Sequence, residues 1–297
     1  MKIAVIMGGT SHEREISLKS GTAVVAALEA AGRTVIPVVL ETNDLSVLPK
    51  DIDVVFLALH GGYGENGGVQ AALDERGIPY TGPGACASRI AMDKIETKKR
   101  LIAAGLPTAA FECLQAPATT TQLPLPLVVK PPRDGSSVGI SKVTEWTQWE
   151  KAIAVARAAD PQGEVLVEAY IPGREWTVGI VGETALPVVE IAAPNSWYGY
   201  TEKYTPGQTR YLFPEDAADQ PIIQRCQTLA LAAFKTIGCR GMSRVDFRVT
   251  PEGEPFILEI NTIPGFTATS LLPKAAARAG YSFSDLCLKI LDYATHD

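Results

Sequence analysis

Short apolar runs alternate with polar, glycine-bearing breaks along the chain. Residues 2–7 (KIAVIM) form the first run and stop at Gly8-Gly9, which predicts a buried parallel strand entering a tight turn. A helix is predicted from about Ser17 to Ala31, with Gly32 as its C-terminal stop, because glycine adopts the left-handed conformation that ends helices. Thr34–Leu40 predicts a second strand. Asp53–Leu59 (DVVFLAL) predicts a third, which ends at His60-Gly61-Gly62. This series predicts a small doubly wound α/β unit. In such sheets ligands sit beyond the carboxyl ends of the strands, where Gly8-Gly9 and His60-Gly61-Gly62 fall.

A Pro/Gly cluster at 79–84 ends this unit, and a helix from about Ala87 to Ala104 leads onward, closing at Gly105. Residues 125–145 predict a hairpin, with LPLVVKP and ISKV as strands and RDGSSVG as the loop. A helix at about 146–159 and strands at 165–170 and 175–181 complete a second α/β unit. The remainder predicts further strands, a long polar loop at 194–210 and a helix at about 217–237. Strands at 241–250 and 254–261 and a terminal helix at about 284–293 follow. The division is 1–86, 87–183 and 184–297, with no internal repeat and no low-complexity tract.

Composition narrows the function classes. The 297 residues are 46% hydrophobic and 20% charged with a net charge of −6, so the chain can bury a core. Its basic residues are scattered, which argues against a nucleic-acid or membrane-surface binder. No apolar stretch approaches membrane-spanning length, and the run after Met1 is too short for a signal-peptide core. A cytoplasmic protein is expected. Five widely spaced cysteines without a C-x-x-C pair predict free thiols rather than disulfides or a zinc site.

The most informative chemistry lies at 241–261. Arg244 and Asp246 are two apart on one strand, as are Glu259 and Asn261 on the next, so each pair shares a face. The turn Pro251-Glu252-Gly253 would join the strands as a hairpin. Oxygen donors of this type suit Mg²⁺, with phosphates completing its shell; a solvated strand face is the alternative. In KPPRDGSSVG, Lys130 ends a strand before a Gly/Ser loop, an arrangement able to cradle phosphate. It matches neither a Walker loop nor G-x-G-x-x-G, and a plain hairpin tip also explains it. Glu168 and Glu175 flank a turn and read either as ribose acceptors or as surface carboxylates. Thr10-x-x-Glu13 reads either as a capping box or as a substrate-binding Glu13. His12-Glu13 is no zincin motif, because residue 16 is Ile. Singly, Lys94 reads as a helix-surface lysine, His60 as a strand-end cap, Lys203-Tyr204 as a loop tip and Ser270 as an N-cap.

The segments GGTSHEREISLKSG, LHGGYGENGGVQ, GIPYTGPG, MDKIETK, VVKPPRDGSSVGISKV, EKYTPG, SRVDF and LEINTIPGFTATSLLP occur in this order. The series, which runs from Ile3 to Pro273, resembles the D-alanine–D-alanine ligases of the ATP-grasp superfamily. The resemblance implies an N-terminal substrate domain followed by a two-part ATP-grasp fold, with ATP as co-substrate and D-alanine as substrate. It implies Lys94 and Lys130 on the ATP phosphates, the 135–139 loop with Ser137 over them, and Lys203 at the γ-phosphate. Glu168 and Glu175 would bind the nucleoside. Asp246, Glu259 and Asn261 would hold two Mg²⁺ or Mn²⁺. Glu13 would take the ammonium of the first D-alanine, with His60 nearby, and Ser136 and Tyr204 would link Glu13 to the mobile 194–210 loop. Arg244 and the Gly265 N–H would stabilise the oxyanion, while Ser270 and Leu271 would bind the second carboxylate. A homodimer is the family expectation. Tyr204 favours a dipeptide product over D-alanyl-D-lactate or D-alanyl-D-serine. Another ATP-grasp carboxylate–amine ligase and a non-catalytic nucleotide-binding module are the alternatives. Two departures from the family pattern stand out, namely Asn66-Gly67-Gly68 where Asp-Gly-Thr is common, and Pro131-Pro132 where Pro-Ser or Pro-Ala is usual.

Overall fold

A computed structural model describes residues 1–133, 135, 138–192 and 209–297. Ser136, Ser137, Lys203 and Tyr204 lie outside the described residues.

The N-terminal sheet is parallel, in the order β2-β1-β3, with β1 at Lys2–Gly8, β2 at Thr34–Leu40 and β3 at Val54–Leu57. The apolar run of β1 sits in the middle of the sheet, and Ile3 to Ile6 have no solvent exposure. Helix Arg14–Ala30 returns across the sheet. Its Ser17 hydroxyl donates to Ala58 O (2.7 Å) and accepts from Gly8 N (2.8 Å), which ties the carboxyl ends of two strands together. The capping box at Thr10–Glu13 does not form. Glu13 itself occupies the cap position and makes no side-chain cap bond, while its N–H donates to Ser11 Oγ (3.2 Å). The serine between them captures the backbone, so the Glu13 carboxylate is not spent on capping.

The expected single helix at 87–104 is two helices, Ala85–Met92 and Lys94–Ala103. Asp93 breaks it. Its backbone is extended, and its Oδ1 accepts from Ile95 N and Glu96 N at 3.0 Å each, the competition with helix geometry that favours Asp at caps. The restart makes Lys94 the first residue of the second helix, and Lys94 N donates to Pro132 O (3.0 Å).

The central sheet is antiparallel, in the order β4-β7-β5-β6, from β4 (Phe111–Leu114), β5 (Leu127–Lys130), β6 (Ser141–Val143) and β7 (Val165–Ala169). Helix Trp149–Ala159 covers one face, with Trp149, Ile153 and Ala156 in its core. The third sheet takes the order β11-β10-β8-β12-β13. Its strands are β8 (Arg174–Val181), the short β9 (Thr184–Ala185) paired to β8, β10 (Val189–Ala192), β11 (Arg210–Leu212), β12 (Met242–Val249) and β13 (Pro255–Asn261). Helix Gln220–Ile237 packs Cys226, Ala230, Ala233 and Phe234 against one face through Val245, Phe247 and Ile257. The opposite face is left for chemistry. The last helices, Leu271–Arg278 and Phe283–Leu291, join the core of the N-terminal sheet through Leu272, Ala276, Leu286 and Ile290. The chain thus returns to its first unit at its end.

Candidate active site

A cleft lies between the central and third sheets, with about 1140 Å³ of space including its open mouth. Lys94, Lys130, Glu168, Glu175, Arg244, Asp246 and Glu259 all line it, with Leu271 at its edge.

The floor follows from strand register. In the antiparallel pair β12–β13, Arg244 stands opposite Asn261 and Asp246 opposite Glu259, so all four side chains share one face. On the other side, β8 brings Thr177 opposite Asp246 and Glu175 opposite Arg248. A bulge falls between Asp246 and Phe247, where β13 carries Leu258 as an extra residue. Bulges re-aim side chains; here Leu258 and Glu259 both face the cleft. Arg244 forks over Asp246, with Nε to Oδ1 at 2.8 Å and Nη2 to Oδ2 at 2.7 Å. Thr177 Oγ1 also donates to Asp246. Lys94 Nζ lies 3.4 Å from Glu259 Oε2. Asn261 Oδ1 is buried and has no hydrogen-bond partner among the described residues.

Arg248 and Thr177 were missed at the sequence level. The i, i+2 spacing that pairs Arg244 with Asp246 also places Arg248 on this face. Arg248 is buried and donates to Gly173 O (2.8 Å), Ile171 O (3.1 Å) and Glu175 Oε2 (3.4 Å), so it fixes the turn after β7. Burial pushes the Glu175 carboxyl up to about 8; Arg248 opposes this, and Asp246 and Glu259 add to it. A carboxyl raised in the folded state is stabilising relative to unfolded chain below about pH 4.5, and that advantage disappears as pH rises toward 8. Glu175→Gln should therefore match the wild type near pH 4 and melt progressively higher than it between pH 5 and 8. Thermal unfolding without nucleotide across this range checks the crossover, and parallel curves would contradict it.

The roof comes from the central sheet. Val128 pairs with Glu168 across β5 and β7, and Lys130 lies two residues further on the same face. Lys130 Nζ is 2.6 Å from Glu168 Oε2. A second lysine, Lys98, which no local pattern singles out, is 2.7 Å from Glu168 Oε1. Burial alone would raise the Glu168 carboxyl, but Lys130 and Lys98 overcome it and hold the group at about 2.

The third wall is N-terminal. Gly61 has φ +68°, and a Cβ there would lie 2.7 Å from Glu13 Oε2, so glycine lets the Glu13 carboxylate approach the chain. Gly135 lies against the same carboxylate, 3.7 Å from it when given a Cβ. His60 is buried and does not simply cap a strand. Its Nδ1 is 3.1 Å from Ile263 O and its Nε2 is 2.8 Å from Ser20 Oγ, which also accepts from Phe266 N at 3.1 Å. A carbonyl only accepts, so Nδ1 carries the proton and Ser20 donates to Nε2. Gly265 lies inside the segment held this way. Ser270 takes the N-cap position of helix Leu271–Arg278, but its Oγ accepts from Thr267 N (3.1 Å) rather than capping the helix.

The departure at 66–68 has a packing reason. Asn66 Oδ1 accepts from Gly68 N (3.0 Å), and a Cβ on Gly68 would fall 2.5 Å from the Tyr63 ring. A threonine there would need Tyr63 to move.

Among the described residues no group of three or more His, Cys, Asp or Glu is placed to hold a metal. The oxygen set is two carboxylates and an amide, Asp246, Glu259 and Asn261. Its hard donors and the buried, unpartnered Asn261 oxygen fit a hard divalent cation.

A family model described as the D-ala D-ala ligase C-terminus matches residues 101–292, and one described as the D-ala D-ala ligase N-terminus matches residues 41–83. A D-alanine–D-alanine ligase from Herminiimonas arsenicoxydans is 43% identical over 98% of this chain and 90% of its own length. D-alanine–D-alanine ligase B of Chromobacterium violaceum is 45% identical, covering 98% of this chain and 97% of its own. Among solved structures, the Bacillus anthracis D-alanine–D-alanine ligase complexed with ATP superposes with a TM-score of 0.87 at 34% identity, covering 99% of this chain and 97% of that one. The VanG D-Ala:D-Ser ligase from Enterococcus faecalis gives 0.86 at 31%, covering 98% of each.

Proposed function

Because this chain belongs to the D-alanine–D-alanine ligase family, we propose that it joins two D-alanines at the cost of ATP, for peptidoglycan precursor synthesis. The observation that carries this reading is the single cleft face bearing Arg244, Asp246, Glu259 and Asn261, with Lys94 and Lys130 beside it.

A carboxylate is a poor electrophile, and ATP activates it. One D-alanine carboxylate oxygen attacks the γ-phosphorus and ADP leaves. The amine of the second D-alanine, after losing a proton, attacks the acyl carbonyl and phosphate leaves. Lys94 and Lys130 bind the α- and β-phosphates, and Glu168 and Glu175 serve the nucleoside end. Asp246, Glu259 and Asn261 would hold Mg²⁺ or Mn²⁺, which neutralises phosphate charge when bound. Glu13 takes the first ammonium, and Ser270 and Leu271 receive the second carboxylate. Arg244 and the Gly265 N–H stabilise the tetrahedral oxyanion, a contribution of about 3–4 kcal/mol per donor. Ser137 covers the phosphates and Lys203 reaches the γ-phosphate, while Ser136 and Tyr204 close the site against water, which would hydrolyse the acyl phosphate. The domain roles are substrate binding for 1–86 and the two halves of the ATP-grasp fold for 87–183 and 184–297. A cytoplasmic homodimer belongs to the same reading, and no described helix is long and apolar enough to cross a membrane.

His60 takes a positioning role in this scheme. Through Ser20 it fixes the segment that presents the Gly265 N–H. Ser20→Ala should lower kcat about 10- to 100-fold while leaving KM for ATP unchanged, because misplacing a donor costs rate before it costs nucleotide binding. Steady-state kinetics read this split.

Likeness to a D-Ala:D-Ser ligase makes a D-alanyl-D-serine product the second reading. ADP release with ATP and Mg²⁺ separates the two. D-alanine alone should suffice. A requirement for D-lactate or D-serine would move the second substrate, and no release with any of them would leave a nucleotide-binding module.

A further inference from the structure

Lys98 lies behind the nucleotide cleft and does not line it. Its side chain has no solvent exposure, which is rare for lysine unless it is paired. Three acceptors surround Nζ, namely Glu168 Oε1 (2.7 Å), Thr108 Oγ1 (2.6 Å) and Ala109 O (3.2 Å). Thr108 spends its own proton on Ile257 O (2.8 Å), so its oxygen must accept from Lys98. A carbonyl and an ionised carboxylate also only accept. Thr108 and Ala109 take two N–H bonds from Nζ, and the Glu168 carboxylate 2.7 Å away favours the charged ammonium as its counter-ion. Burial lowers the lysine from its ordinary value, while Glu168 opposes that shift; the ion pair at 2.7 Å decides for the charged form.

The charges can then be summed. Glu168 gives one oxygen to Lys98 and the other to Lys130. Lys98, Glu168 and Lys130 together carry one net positive charge. Of the two lysines, only Lys130 reaches the cleft. Without Lys98, the Glu168 carboxylate would cancel Lys130 and the group would be neutral.

We propose that Lys98 is a positioning residue for the nucleotide phosphates: by neutralising Glu168 from behind, it keeps the positive charge of Lys130 available to the cleft. The inference rests on the nucleotide reading of this cleft. It differs from a purely structural tie because it acts on phosphate charge and not on the nucleoside.

The test uses the full chain and two probes, ADP by calorimetry and adenosine by NMR titration. Lys98→Met should weaken ADP about 10- to 100-fold, the scale of losing a charge at a partly buried site, and leave adenosine unchanged. Lys98→Met/Glu168→Gln, which restores the net charge at Lys130, should return the ratio of ADP to adenosine affinity to near the wild-type value, whatever the loss of Glu168 costs both probes at the nucleoside end. Three outcomes would overturn the proposal: ADP binding by Lys98→Met at wild-type strength, equal losses of ADP and adenosine, or a folded double variant whose ratio of ADP to adenosine affinity stays at the Lys98→Met value. If Lys98→Met fails to fold, the double variant decides alone, since it removes the unpaired buried carboxylate. Wild-type protein that binds neither probe would sink the nucleotide reading itself, a failure distinct from the other three.

Discussion

Asp246→Asn should lower kcat/KM by about 1000-fold at limiting Mg²⁺, and rising Mg²⁺ should recover part of the loss. The substitution keeps the shape and one oxygen, and removes a charge that a hard divalent cation requires. Asp246 is 6% exposed and stands opposite Glu259, beside the unpartnered oxygen of Asn261. Among the described residues, no other carboxylate is paired in register with Glu259. The same substitution should also lower stability, because Thr177 and Arg244 Nε can still meet the amide oxygen but Arg244 Nη2 then faces an N–H donor instead of a carboxylate oxygen. Turnover against Mg²⁺ concentration is the measurement, and unchanged turnover at limiting Mg²⁺ would remove Asp246 from the metal set.

Arg244→Met should fail differently. It removes an oxyanion donor, so kcat should drop about 100- to 1000-fold with KM for ATP little changed. It also strands Asp246, whose two oxygens Arg244 grips at 2.7 and 2.8 Å. Breaking a buried pair from one side costs about 3–5 kcal/mol, so the melting temperature should fall as well. Arg244→Lys separates the two effects. It keeps the charge beside Asp246 and should restore most of the stability, but it loses the planar fork and should recover little of the rate. Equal recovery of both would mean that Arg244 acts only as the counter-ion of Asp246.

The two variants probe what was legible in the sequence and what was not. Strand alternation alone put Arg244 with Asp246 and Glu259 with Asn261. That the pairs face each other depends on a register containing a bulge at Leu258, which no periodicity signals. The same alternation contained Arg248, overlooked because an arginine on a strand carries no chemical label by itself. Lys98 was hidden in the polar run MDKIETKKR, where burial of one lysine is set by Glu168, far off in sequence. The split at Asp93 was readable in principle, since Asp is a strong N-cap, but the surrounding helical pattern masked it. The short helix Gly68–Asp74 and the four-residue β4 fell below the length at which periodicity speaks. The return of the last two helices to the first sheet is a long-range packing event with no local signature.

The central claim is that a D-alanine carboxylate is phosphorylated before the peptide bond forms. It is tested most directly with D-alanine labelled with ¹⁸O in its carboxyl group, incubated with the protein, ATP and Mg²⁺. The bridging oxygen of the acyl phosphate leaves with phosphate when the amine attacks, so one ¹⁸O should appear in inorganic phosphate for each dipeptide formed. Dipeptide formed with unlabelled phosphate would contradict the acyl-phosphate route.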